Sequence, residues 1–61
     1  MSKTEDGIVK KTLDYYVLIY KNSGTDRERS RTNYFVEDFL SSFGPEKFKK
    51  YWSYYEACIS D

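Results

Sequence analysis

The 61-residue sequence contains no histidine, one cysteine (Cys58) and one proline (Pro45). Without His and with a single Cys, the usual zinc and iron ligand sets cannot be assembled. An internal disulfide is impossible, and the common general bases and nucleophiles of enzymes are missing. Net charge is lacking too, since ten Lys and Arg balance ten Asp and Glu. That balance argues against a chain whose main task is to coat nucleic acid, and equally against an acidic DNA mimic. The longest apolar run, Tyr15 to Tyr20, is far shorter than the roughly 20 residues that span a bilayer. The polar start, Met1 to Gly7, has no signal-peptide pattern. These absences predict a soluble cytoplasmic chain that is not an enzyme and holds no metal or cofactor. For a phage-encoded chain, that cytoplasm is the host's.

What is abundant is aromatic surface: seven Tyr, four Phe and one Trp. A chain this short buries only about 60% of the surface its unfolded form exposes. Aromatic packing and self-association are therefore the available sources of stability, with no metal or disulfide to add to them.

The central segment, residues 25–43, carries the clearest signals. Thr25 followed by Glu28 forms a capping box at a helix start. Phe43 is followed by Gly44 and Pro45, a C′ glycine and a residue that cannot continue the helix. Val36, Phe39, Leu40 and Phe43 recur at helical spacing, whereas the first half carries Arg27, Arg29 and Arg31 and almost nothing apolar. After Pro45, at the first helical position, Phe48, Trp52, Tyr55 and Ile59 form a third-segment stripe. Tyr51 flanks that stripe, and Tyr54 lies further round with its hydroxyl in water. The Gly-Pro link is short enough to force a sharp reversal, so these two helices are expected as antiparallel neighbours.

The first segment reads two ways. As a helix it has Thr4 as N-cap, Glu5 and Asp6 at the positive end of the dipole, and Lys21 at the negative end. Val9, Leu13, Tyr16, Val17 and Tyr20 then share one face. As a strand, residues 15–20 offer β-branched and aromatic side chains in a continuous run, and Gly7 weakens the helix. The prediction is a single all-α domain over 1–61, with three helices at about 5–21, 26–43 and 46–59. The alternative is an α+β chain, one N-terminal strand followed by two helices, dimeric. On either reading Tyr15, Leu18 and Ile19 fall off the core stripe, which makes them candidates for self-association in a homodimer.

Candidate contacts with a partner are Arg27, Arg29 and Arg31, whose guanidiniums grip carboxylate or phosphate bidentately, and the surplus tyrosines Tyr34, Tyr51 and Tyr54. Exposed Tyr beside Arg is the composition of protein-binding hot spots. Against this stands the plain alternative of a solvated helix turn with Asp26 and Glu28 pairing the arginines. Lys47, Lys49 and Lys50 read as an outer helix face. Glu37 and Asp38 are adjacent and so diverge rather than forming an acid–base pair.

The function expected from these features is a small protein-binding module, an inhibitor of the phage or plasmid type that docks on and blocks a larger host protein or defence complex. The second expectation is a dimeric DNA-binding regulator with a strand-helix-helix outline, its paired strands entering the major groove.

Overall fold

Residues 15–20, the stretch with the strongest strand character, lie in the middle of a helix. The computed structural model describes the backbone of residues 2–60 and the side chains of residues 5–60. Three helices follow one another: α1 (Ser2–Asn22), α2 (Asp26–Ser41) and α3 (Pro45–Ser60). No strand occurs among the described residues. The strand alternative for the first segment is thus corrected. The face Val9, Leu13, Tyr16, Val17 and Tyr20 packs against both other helices, and among the described residues no strand is present to pair with it.

The helix limits differ from those expected. α1 is already running two residues before Thr4, so Thr4 is not its N-cap. Thr25 does cap α2: its hydroxyl accepts from the Glu28 N–H at 3.2 Å. The second half of the box takes another form, with the Thr25 hydroxyl donating to Glu28 Oε1 at 3.2 Å. α2 ends at Ser41 rather than Phe43, with Ser42 as C-cap. Phe43 turns off the helix, its N–H donating to the Leu40 carbonyl at 3.0 Å. Gly44 adopts φ +93° and its carbonyl accepts the first bond of α3, from Phe48 N–H at 2.8 Å. A single glycine therefore makes the reversal and opens the next helix, in a region of backbone space that a Cβ disfavours.

The core is Val9, Leu13 and Val17 of α1, Val36 and Leu40 of α2, and Tyr51 and Tyr55 of α3. Phe39, Phe43, Phe48 and Trp52 pack around it partly exposed. Here α3 is rotated from the expected stripe. Tyr51 is buried instead of flanking, while Phe48, Trp52 and Ile59 are only half-buried. Asp6 on α1 gives the Tyr51 hydroxyl an acceptor at 2.9 Å, so a phenol can be sunk without leaving its O–H unpaired. Buried Thr32 is satisfied likewise by donating to the Glu28 carbonyl at 3.1 Å.

Pairings up the bundle fix its topology. Asp6 meets Tyr51, Asp14 meets Tyr54 and Tyr20 meets Tyr55, so α1 and α3 run parallel. α2 runs against both, as expected for its neighbour α3. The body measures 37 × 18 × 15 Å. No helix among the described residues is long and apolar enough to cross a membrane.

Candidate functional site

The three seams of the bundle are finished differently. Across α1–α3, Lys47 bonds Glu5 at 2.6 Å, and Lys50 reaches Asp6 at 3.3 Å beside the Tyr51 bond. Tyr54 donates to Asp14 at 2.9 Å and lies under Lys10 Nζ, which is 5.4 Å from the ring centre. Across α2–α3, the Tyr55 hydroxyl donates to Asn33 Oδ1 at 2.9 Å. Among the described residues, no side-chain hydrogen bond or ion pair joins α1 to α2. That seam is closed by Tyr16 against Phe39, ring centres 6.3 Å apart, and its outer rim is apolar. Ile8, Tyr15 and Ile19 on α1 and Phe35 on α2 are all exposed there. Between the two helices opens a cleft of about 200 Å³, lined by Tyr16, Ile19, Ser23, Glu28, Arg31, Thr32 and Phe35.

The polar bonds account for the perturbed titrations. The Tyr51 hydrogen bond, then the one from Lys10, holds the Asp6 carboxyl below its ordinary range, with burial opposing and Lys50 assisting. Tyr54 is pushed up to about 12 by its bond to Asp14 and then by burial. Tyr55 is pushed up to about 12 chiefly by burial.

The candidate contact residues separate into two sets. Arg29 is turned inward: it pairs with Asp26 and donates to the Ser23 carbonyl at 3.4 Å, so it locks the α1–α2 link rather than reaching out. Tyr51 is buried and bonded to Asp6, which removes it from any contact surface. Tyr54 is half-buried, and its hydroxyl is given to Asp14 rather than to water. Arg27, Arg31 and Tyr34 remain outside. They sit at i, i+4, i+7 on one face of α2, with Asp38 closing the stripe. Among the described residues neither Arg27 nor Arg31 makes an ion pair, and Tyr34 is 65% exposed with Phe35 as its ring neighbour at 6.2 Å.

Tyr15, Leu18 and Ile19 are exposed on α1. Ile8 and Phe35 belong to that surface as well, beyond the expected three. The signal was present, since Ile8, Thr12, Tyr15 and Ile19 repeat at 4-3-4 spacing. Cys58 is half-buried against the core. Lys47 and Lys50 are engaged by Glu5 and Asp6, which leaves Lys49 as the open member of its group. Among the described residues, no three of His, Cys, Asp and Glu gather as a metal site would require.

No protein-family model, curated protein or solved structure matches the chain. The fold and its surface define a small all-α domain whose core of Val, Leu and two Tyr is ringed by partly exposed aromatics, with an apolar seam between α1 and α2.

Proposed function

We propose that this chain is a non-enzymatic interaction module that docks on a larger protein through the outer face of α2. The observation that carries this reading is the placement of Arg27 and Arg31, without carboxylate partners among the described residues, on one face with the exposed ring of Tyr34. Guanidiniums are weakly hydrated and fork-shaped, so they pair with carboxylates at an interface at lower desolvation cost than lysines. An adjoining Tyr adds apolar area at low entropy cost, the composition that dominates measured hot spots. The partner is accordingly a protein presenting carboxylates beside an apolar patch. Blocking that protein, as an inhibitor of the phage or plasmid type would, is the activity this docking serves.

The DNA-binding alternative has lost its reader. The segment that would have supplied its paired strands lies within α1.

The test starts from the immobilised chain and lysate, with the captured protein identified by mass spectrometry and then purified. Arg27→Ala combined with Tyr34→Ala should keep the circular dichroism spectrum and weaken binding to that protein more than about tenfold. Equal affinity for both forms sinks the proposal.

A further inference from the structure

The seam between α1 and α2 is where the domain leaves contiguous apolar surface in water. On α1, Ile8, Thr12, Tyr15 and Ile19 form a second stripe beside the core stripe. Ile8 and Tyr15 are 60% and 63% exposed, and Leu18 flanks them at 61%. Thr12 donates its hydroxyl to the Ile8 carbonyl at 3.0 Å, so its polar group is already satisfied within the helix.

We infer that this stripe is a two-fold contact with a second copy of the chain, α1 packed antiparallel on α1. The pattern is self-complementary. In one antiparallel register Ile8 meets Ile19 of the second copy while Thr12 meets its Tyr15, and the same pairs recur on the other side of the axis, as a two-fold interface demands. The helix dipoles favour this direction: antiparallel packing opposes the two α1 dipoles, whereas parallel packing stacks like ends on like. In this register Ile8 of the second copy arrives over Ile19, at the cleft of about 200 Å³ whose apolar walls are Tyr16, Ile19 and Phe35. That space accommodates its four-carbon side chain.

The area agrees. Ile8, Tyr15, Leu18, Ile19 and Phe35 together present on the order of 600 Å², at the upper limit of what a monomer leaves in one patch. With Thr12 and the Lys11 stem added, the face approaches the roughly 800 Å² per partner of a standard interface. A chain this small, whose single cysteine excludes an internal disulfide, gains from such closure. The contact is centred on α1 and reaches α2 at Phe35 and at the cleft edge formed by Arg31, whereas Arg27 and Tyr34 of the proposed docking face lie outside it.

Sedimentation velocity on the full chain, from low micromolar to submillimolar concentration, should show the mass doubling. Ile8→Glu and Tyr15→Glu change exposed positions, so each should keep its helical circular dichroism and raise the dissociation constant at least about tenfold. Tyr34→Glu, equally exposed but outside the contact, should leave it unchanged. In a Cys58→Ser background, mixing Ile8→Cys chains with Ile19→Cys chains should yield a disulfide-linked pair on oxidation. Ile8→Cys alone should not, because its two copies lie eleven residues, about 16 Å, apart along the axis. A monomer throughout the series overturns the inference. So does self-cross-linking of Ile8→Cys, the signature of parallel packing.

Discussion

Tyr51 and Asp6, 45 residues apart in the chain, are joined by a 2.9 Å hydrogen bond that sets the rotation of α3. Lys10 reaches the other carboxylate oxygen of Asp6 at 3.2 Å, so one side chain receives a phenol and two ammonium groups. These partners depress the Asp6 pKa, with the phenol contributing most. A depressed carboxylate stabilises the fold above its unfolded value, and that contribution is lost as pH falls through the folded value. Asp6→Asn should therefore lower the melting temperature at pH 7, and the gap from the wild type should close as pH falls below about 4. Thermal melts by circular dichroism across this range check it; a gap independent of pH would refute it.

The opposite limb belongs to Tyr54 and Tyr55, both pushed up to about 12. A raised phenol stabilises the fold fully below its unfolded value near 10 and loses that contribution as pH rises through 12. Helix should thus be lost between about pH 10 and 12, together with growth of tyrosinate absorbance at 295 nm. At neutral pH, Tyr55→Phe should cost about 1 kcal/mol, because Asn33 loses its donor.

Two glycines should respond with opposite signs to alanine. Gly7 lies inside α1 with nothing within 4 Å of an added Cβ, so Gly7→Ala should stabilise by about 0.8–1 kcal/mol. Gly44 also has open space around it, yet its φ of +93° disfavours any Cβ. Gly44→Ala should destabilise by roughly 1–2 kcal/mol. Urea titrations of the two variants read both signs directly.

Leu40 is fully buried between α1 and α3, and Leu40→Ala should cost about 2–5 kcal/mol. In a domain this small that is a large part of the total. The expected outcome is loss of cooperative thermal unfolding, measured by calorimetry.

The helical core stripes of α1 and α2 were legible because their signals are local. Val9, Leu13 and Val17, like Val36 and Leu40, recur at the helical period with polar neighbours between them, and Thr25 caps through a residue three positions away. α3 was not legible in the same way. An aromatic-rich helix offers competing stripes, and periodicity alone cannot choose between Phe48–Trp52–Ile59 and Tyr51–Tyr55. The choice falls to Asp6 on a different helix. The candidate contacts divide on the same principle. Arg27, Arg31 and Tyr34 point outward as the helical period places them, whereas Arg29, Tyr51 and Tyr54 are held by Asp26, Asp6 and Asp14. Two of those three carboxylates lie in a segment that does not adjoin its partner in sequence.

The parallel course of α1 and α3 decides how the domain bears load. With α2 running between them, Ser2 and Ser60 stand at opposite ends of a body 37 Å long. Tension applied through those ends slides α1 past α3 instead of peeling one from the other. Glu5–Lys47, Asp6–Tyr51 and Asp14–Tyr54 then bear the strain simultaneously. Under force, which probes the unfolding rate rather than the equilibrium, the domain should resist as a shear-loaded joint, giving way in one event.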